Sequence, residues 1–391
     1  MSTIHTWAEL LDSERSDSLV PIWSVARLVR DKRTKAASDL AVSPENVEPF
    51  TGRLLSDTSK YEGEGWAFQA GDVLFNKLRT YLCKVVHAPR DGVSMGEMIV
   101  LRPERVDSTF FYYTMLCDGH VSHLSSLSSG VKQPRTDPAT ILDSRIPVPP
   151  LNRQRELVDE LAERLQAIDK IERSLVRSSR DRIKLRQDAI RAHIPWVQSG
   201  SAATTTEFVP LWSVARLIRD KAEALNGSVK ISPENVESGT GVVRSLESAY
   251  TGSGVPFRTS DTLFNKLRTY LAKVVYCDWN GYSMGEMLVI RPEQIVPRYL
   301  YYTLSHPDTV DQLSTLSTGV KQPRTDPSVV MSTPVCLPDR GTQERVAHTL
   351  SEIDDELGRI RTNEERRLAE VRALRRKLIA EMVFKAASEE I

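Results

Sequence analysis

The chain is written twice. VPIWSVARLVRDK at 20–32 returns as VPLWSVARLIRDK at 209–221, and SPENVE at 43–48 returns at 232–237. LFNKLRTYL at 74–82 returns at 263–271, SMGEM at 94–98 at 283–287, and GVKQPRTDP at 130–138 at 319–327. Every pair is separated by 189 residues, and about half the positions from Val20 to Pro138 are identical in the second copy. A tandem duplication of this size means that whatever the first copy folds into, the second must fold into as well. The 391 residues suit two or three domains of ordinary size.

The repeat register continues past the globular blocks, with Gln154 aligned to Gln343 and Leu161 to Leu350, but the pattern there changes. From Leu151 to Ile194 apolar residues fall at Val158, Leu161, Leu165, Ile168, Ile171 and Leu175, then raggedly at Ile183 and Ile190. In the second copy they fall at Leu350, Ile353, Leu357, Ile360, Val371, Leu374 and Leu378. Spacings of three and four make a helical seam near the coiled-coil period. Neither stretch holds an internal proline, while PVPP at 147–150 and Pro338 stand just before them, where proline closes an extended segment. Each helix has room for about 40 residues, or about 60 Å. A lone helix with a narrow apolar stripe has nothing to bury it against. The two helices are therefore expected to pair as an antiparallel coiled coil with the domains at opposite ends, the alternative being that each packs on its own globular unit. The seam residues are Leu161, Leu165, Ile168 and Leu175 with Leu350, Ile353, Leu357, Ile360, Leu374 and Leu378.

The expected layout is a short extension at 1–19 without a counterpart, a globular domain at 20–146, a long helix at 147–194 and a linker at 195–207. A second domain at 208–335 and a second long helix at 336–391 follow. Within each domain VLFNKLRTYLCKVV (73–86) alternates like a strand, EMIVLRP (97–103) is a second strand, and FFYYTMLC (110–117) with the following VSHLSSL reads as a short helix. The fold class is α+β.

The 52 Lys plus Arg equal the 52 Asp plus Glu, which excludes a histone-like polycation but leaves room for local basic patches. No apolar run nears the roughly 18 to 20 residues that span a bilayer, and MSTIHTWAELLDSER lacks the basic and apolar regions of a secretory signal. A cytoplasmic protein without a membrane partner is expected. Cys83, Cys117, Cys277 and Cys336 are far apart in sequence and form no CxxC or Cys/His cluster, so they read as buried thiols, not as zinc ligands or disulfides. His120 and His123 have the spacing of a ligand pair, but Thr309 and Gln312 occupy the second copy's positions. No phosphate loop, GxGxxG, GxSxG elbow, nuclease cluster or adenine-methyltransferase motif is present. The chain reads as a binder, with no catalytic residue, metal or cofactor of its own.

The repeated polar blocks are the candidate binding surface. As a strand, 73–86 would project Phe75, Lys77, Arg79 and Tyr81 on one face, with Lys84 beyond, and Lys266, Arg268, Tyr270 and Lys273 repeat the set. Cations beside an aromatic suit a nucleic-acid backbone; a solvated sheet face would show the same residue types. The loop GVKQPRTDP carries Lys132, Gln133, Arg135 and Thr136, repeated as Lys321, Gln322, Arg324 and Thr325. Arg suits guanine and Gln adenine in the major groove, and the competing reading is a structural turn capped by Asp137. Arg27, Arg30 and Lys32, with Arg216, Arg219 and Lys221, are either phosphate contacts or surface charge. The basic run from Arg359 to Lys377 needs no nucleic acid, since cations suit a helix C-terminus.

Domain, long helix, domain, long helix resembles the specificity subunit of type I restriction–modification systems. DVLFNKLRTYLCKV and GVKQPRTDPATILDSRIPVPPLNRQREL are similar to that family's segments, and the second copy keeps Gly319, Pro323, Arg324, Pro338 and Gln343 but replaces much of the proline run with VCLPDRG. The resemblance implies two target recognition domains, each reading one half of a bipartite site in double-stranded DNA. It implies helices that set the spacing and dock two modification subunits, which bind S-adenosylmethionine and methylate adenine, and restriction subunits that use ATP and Mg. Because the two domains are about half identical, the half-sites are expected to be similar and inverted, an interrupted near-palindrome with centres about 34 Å apart. The rival readings are a scaffold or decoy that docks partners without reading DNA, and a stand-alone DNA-acting enzyme.

Overall fold

The computed structural model describes residues 7–12, 19–196, 207–319 and 321–388. It divides into two compact units, one of Met1–Ser174 with Arg367–Ile391 and one of Leu175–Arg366. Most of the expected linker, at 197–206, lies outside the described residues.

The first unit opens with a helix, α1 (Trp7–Asp12). Ten short strands follow: β1 (Leu19–Pro21), β2 (Ala26–Leu28), β3 (Lys32–Thr34), β4 (Leu40–Val42), β5 (Glu64–Phe68), β6 (Val73–Asn76), β7 (Val85–His87), β8 (Gly92–Ser94), β9 (Met98–Pro103) and, after three helices, β10 (Arg145–Pro147). The helices are α2 (Ser108–Leu116), α3 (Asp118–Ser126) and α4 (Pro138–Asp143). Two four-stranded sheets form, in the orders β2-β9-β6-β7 and β3-β5-β8-β4, and β1 pairs with β10. The first sheet is antiparallel throughout, whereas β4 joins β8 in parallel. β6 and β9 are buried along nearly their whole length, as VLFN and MIVL require. Asp107 caps α2 by accepting from the Thr109 and Phe110 amides. The expected single helix at 110–117 is two helices, because Cys117 adopts an extended conformation between them.

The second unit repeats this plan. Its strands are β11 (Phe208–Pro210), β12 (Ala215–Ile218), β13 (Ala222–Glu223), β14 (Lys230–Ile231), β15 (Ser253–Phe257), β16 (Thr262–Asn265), β17 (Val274–Tyr276), β18 (Gly281–Ser283), β19 (Met287–Pro292) and β20 (Pro334–Cys336). They pair in the same orders as their counterparts. Helices α6 (Pro297–Leu304), α7 (Pro307–Thr315) and α8 (Pro327–Met331) stand where α2 to α4 stand in the first.

The long helices are α5 (Leu151–His193) and α9 (Arg340–Ser388). A repeated glutamine fixes the start of each. Gln154 is buried, accepts from the Asp107 amide at 2.8 Å and donates to the Pro149 carbonyl at 2.6 Å. Gln343 does the same with Val296 and Pro338 at 2.9 and 2.8 Å.

Each unit holds a part of both helices, and the parts run antiparallel. In the first unit Lys385 pairs with Glu160 and Arg164 with Glu381; in the second Arg186 pairs with Asp354 and Arg182 with Glu364. Leu161, Leu165, Ile168, Leu175, Leu350, Leu357 and Leu378 are buried and Ile353 is half-buried. Two expected seam residues are not in the seam: Ile360 is 40% and Leu374 47% exposed. Ile171 is exposed as well. In each case a charged neighbour turns inward, namely Glu172, Arg361 and Arg375, and the apolar residue beside it is rotated off the face by about 100°. The helices also pack on their own globular parts. Leu157, Leu161, Ile379 and Val383 share the first unit's core with Phe110 and Phe111, and Ile190, Ile194 and Leu350 share the second's with Tyr299 and Leu300.

One residue of the N-terminal segment matches the repeat register. Trp7 lies 189 residues before Trp196, and each indole packs on a histidine: Trp7 tilted against His120 at 4.8 Å, Trp196 stacked on His306 at 5.5 Å. Trp7 also meets Phe384 of α9 at 6.4 Å. His120 is buried with Nε2 on the Ser144 hydroxyl at 3.0 Å, so its work in this structure is packing. The four cysteines are free and buried.

Candidate nucleic-acid interface

Three of the repeated sequence blocks meet at one place in each unit. β6 stops at Asn76, whose amide clamps the turn by donating to the Leu78 carbonyl at 2.6 Å and accepting from the Leu78 amide at 3.3 Å. The chain then passes through Arg79 at φ +51°, a single 3-10 turn at Thr80–Leu82 and Cys83 at φ +45° before β7 begins. Arg268 and Ala272 repeat these left-handed conformations at +51° and +48°, which cost non-glycine residues about 1 kcal/mol or more each. The expected strand over 73–86 is therefore two strands around a strained loop, and Phe75, Lys77, Arg79 and Tyr81 do not share a face. Phe75 is buried in the core, while Arg79 and Tyr81 are exposed.

The GVKQPRTDP segment latches onto this loop. Arg79 donates its amide to the Pro134 carbonyl at 2.7 Å, and Thr136 donates its amide to Lys77 at 3.0 Å. Ser129 and Arg135 exchange both backbone hydrogen bonds, at 2.9 and 2.8 Å, closing a loop whose tip is Gly130, Val131, Lys132 and Gln133. Gly130 sits at φ +98°, a conformation open to glycine at little cost. Beneath the latch the Thr80 and Thr136 hydroxyls are 2.7 Å apart, and Ser128 adds a third hydroxyl at 2.8 Å. Thr136 and its equivalent Thr325 are thus fully buried. They brace the loop from within and present no hydroxyl at the surface, which corrects their reading as contact residues. Lys84 and Lys273 are corrected in the same way. Each ammonium donates to a proline carbonyl of the SPENVE loop, Pro44 at 2.5 Å and Pro233 at 2.7 Å, and burial holds both below the ordinary lysine pKa.

At the surface Glu97, from the SMGEM block, lies between two cations: Lys77 at 3.3 Å and Arg135 at 2.8 Å. Glu286 repeats this with Lys266 at 3.2 Å and Arg324 at 3.0 Å. Burial pushes the Glu286 carboxyl up, but the hydrogen bonds from Arg324 and Lys266 outweigh it and hold the group below the usual carboxylate range. The two latched loops that carry this triad also expose Arg79, Lys132, Gln133 and Tyr81, the last at 48%; among the described residues neither Arg79 nor Lys132 has an ion-pair partner. The second unit presents Arg268, Lys321, Gln322 and Tyr270, its ring 56% exposed. One carboxylate against four cations leaves each cluster positive, with amide and aromatic groups beside it, which suits phosphate and base edges together.

Glu97, Glu286, Asn76 and Asn265 were not singled out from the sequence, although the doubled SMGEM and LFNKLR strings contain them. The third basic set resolves differently. Arg27 pairs with Glu104 at 2.8 Å and Arg216 with Glu293 at 3.1 Å, as surface charge. Lys32 lies 5.1 Å over the Trp66 ring. Arg30 lines a cavity of about 390 Å³ with Trp66 and Lys77.

No protein-family model matches the chain. Over 143 residues it is 27% identical to the EcoDI specificity subunit, a type I restriction enzyme specificity subunit of Escherichia coli, covering 34% of this chain and 31% of that protein. The chain resembles a type I specificity subunit. The match spans about a third of that relative's length. Among solved structures, a chain from work titled "Structural basis underlying complex assembly and conformational transition of the type I R-M system" shares the fold, with a TM-score of 0.62 at 16% identity over 93% of this chain and 97% of that one. The HsdS subunit of Thermoanaerobacter tengcongensis aligns over 95% of this chain and 97% of its own, at 17% identity and a TM-score of 0.39. The architecture is the α+β plan of two sheet-rich domains each followed by a long helix. No helix among the described residues is long and apolar enough to cross a membrane.

Proposed function

We propose that the chain is the DNA-reading specificity subunit of a type I restriction–modification complex, each unit reading one half of a bipartite site in double-stranded DNA. The observation that carries this reading is the same solvent-facing cluster built twice: Lys77, Glu97 and Arg135, then Lys266, Glu286 and Arg324, each under a Lys-Gln-Pro-Arg loop. The chain itself is non-catalytic in this reading. Adenine methylation with S-adenosylmethionine belongs to two modification subunits docked on the paired helices, and ATP- and Mg-dependent translocation and cleavage to restriction subunits. The long helices set the distance between the half-sites. Because the doubled clusters carry the same side chains, the two half-sites are similar and inverted.

Single-molecule sequencing for methyladenine tests this in cells expressing the chain with its neighbouring modification gene. A bipartite, inverted motif that disappears when this chain is absent is the expected result. Two unlike half-sites would retain the function and refute the symmetry. No new methylation from an assembled complex would favour a scaffold or decoy that docks partners without reading DNA.

A further inference from the structure

The second unit contains a cavity of about 430 Å³ between its globular part and its helix pair, and the DNA-reading role makes no use of it. Its floor is Arg186, held by Asp354 at 2.8 and 3.1 Å and by the Tyr301 hydroxyl at 2.7 Å. Its rim cations are held more loosely. Arg298 reaches Asp278 at 3.3 Å and Ser351 at 3.4 Å, and Arg361 reaches Glu365 at 3.4 Å and Glu237 only at 3.8 Å. Two donors lining this cavity are buried with no acceptor: the Arg361 Nε–H and the Trp279 indole N–H. A buried donor left unsatisfied is costly, and two of them facing one space call for an acceptor-rich occupant.

The first unit also keeps two buried donors without an acceptor at the equivalent place, the Nε–H groups of Arg372 and Arg375, but there a carboxylate, Glu172, lies among the cations. Arg361 corresponds to Glu172, Trp279 to Arg90 and Arg298 to Thr109, while Val242 corresponds to Arg53. There the Arg53 guanidinium, on a half-exposed side chain, meets the buried Glu172 carboxylate at 3.1 Å. The replacement of Arg53 by Val and of Glu172 by Arg removes that ion pair in the second unit and puts a guanidinium where the first unit has its carboxylate, in a lining that also includes Asp278 and Asp354.

We propose that this cavity is a binding site for one small phosphorylated ligand of mononucleotide size per chain. Guanidinium N–H groups match phosphate oxygens in pairs, which assigns the anion to Arg298 and Arg361. The volume lies within the range of small-ligand sites and would be left mostly vacant by phosphate alone. Val242, Val243, Val275 and Leu357 give the remainder an apolar lining, with the Trp279 N–H as an edge-on donor to a base. The site is independent of the surface clusters, so its test does not depend on DNA.

Calorimetric titration and thermal melting of the full chain with AMP, ATP and inorganic phosphate test it. The expected result is one AMP or ATP per chain with a dissociation constant below about 1 mM, a raised melting temperature, and weaker binding of phosphate. Arg361→Gln with Trp279→Phe should weaken nucleotide binding about tenfold or more. The double change Val242→Arg with Arg361→Glu rebuilds the first unit's own ion pair. It should leave the ligand-free melting temperature equal or higher and abolish binding. Absence of binding by the native chain up to several millimolar would overturn the proposal, leaving water as the occupant. Undiminished binding in the rebuilt variant, or equal affinity for phosphate and AMP, would overturn it too.

Discussion

Replacing Arg135 and Arg324 together by alanine separates a surface that reads DNA from a loop that is merely well made. Both side chains are about half exposed, at 54% and 49%, and each donates to a carboxylate that keeps a second cation, Lys77 or Lys266. Losing an exposed pair of this kind costs about 0–1 kcal/mol. The latch is untouched, because the Ser129–Arg135 and Thr318–Arg324 bonds are backbone to backbone and alanine retains them. The melting temperature should therefore fall by a few degrees at most. On DNA the effect is larger. A guanidinium bidentate on a base contributes about 1–3 kcal/mol of discrimination, whereas one on a phosphate lowers the salt slope by about one per contact, hence by about two for the pair. Fluorescence anisotropy of the assembled complex on its site, from about 50 to 200 mM salt, reads both quantities. Glu97→Gln with Glu286→Gln supplies the opposite sign, since it removes two negative charges and should tighten binding at low salt. The reasoning fails if the arginine variant keeps its affinity and slope, or if the glutamine variant weakens binding as much as the arginine one.

Three further outcomes follow from the interior. His120 is pushed down to about 3 by burial, while the unfolded residue takes up a proton near pH 6.5. The unfolded state therefore binds more protons between those values, and the His120 contribution, complete above about pH 7, falls by about 2 kcal/mol on reaching pH 5. Melting curves from pH 7.5 to 5 should show this, with a flatter profile in His120→Gln. Glu172→Ala leaves Arg53 and Arg375 beside a vacated carboxylate site and should cost about 3–5 kcal/mol, measured by urea unfolding. Trp7→Ala removes a 3% exposed indole that packs on His120 and Phe384; a loss of about 3–5 kcal/mol is expected, with proteolytic cleavage appearing near α1.

What the sequence made legible was the duplication and everything that follows from having two copies. The doubled strings marked the blocks that converge on Glu97 and Glu286, and the proline-bounded heptads marked α5 and α9. It failed where a local pattern was overruled by a distant partner. Nothing in LFNKLRTYL announces that Arg79 takes a left-handed conformation; the reason is the Pro134 carbonyl, 55 positions on in the chain, to which its amide is bonded. Thr136 and Lys84 look like surface polar residues until the Thr80 hydroxyl and the Pro44 carbonyl are seen to hold them.

The helical seam failed for a more informative reason. Inward positions 172, 182, 186, 361, 364 and 375 are charged, so a search for apolar residues slid one place along to Ile171, Ile360 and Leu374. Buried ion pairs contribute little net stability against well-packed hydrophobic residues, so their use here is better sought in register. In the first unit Arg375 answers Asp169 and Glu172; in the second Arg186 answers Asp354 and Arg182 answers Glu364. A seam of leucine alone would accept a slip of one heptad at modest cost. With these pairs, the same slip leaves a buried guanidinium or carboxylate without its partner, at a cost of several kcal/mol each. A protein whose proposed work is to hold two readers at a fixed separation has reason to favour a seam that cannot slide over one that is only tight.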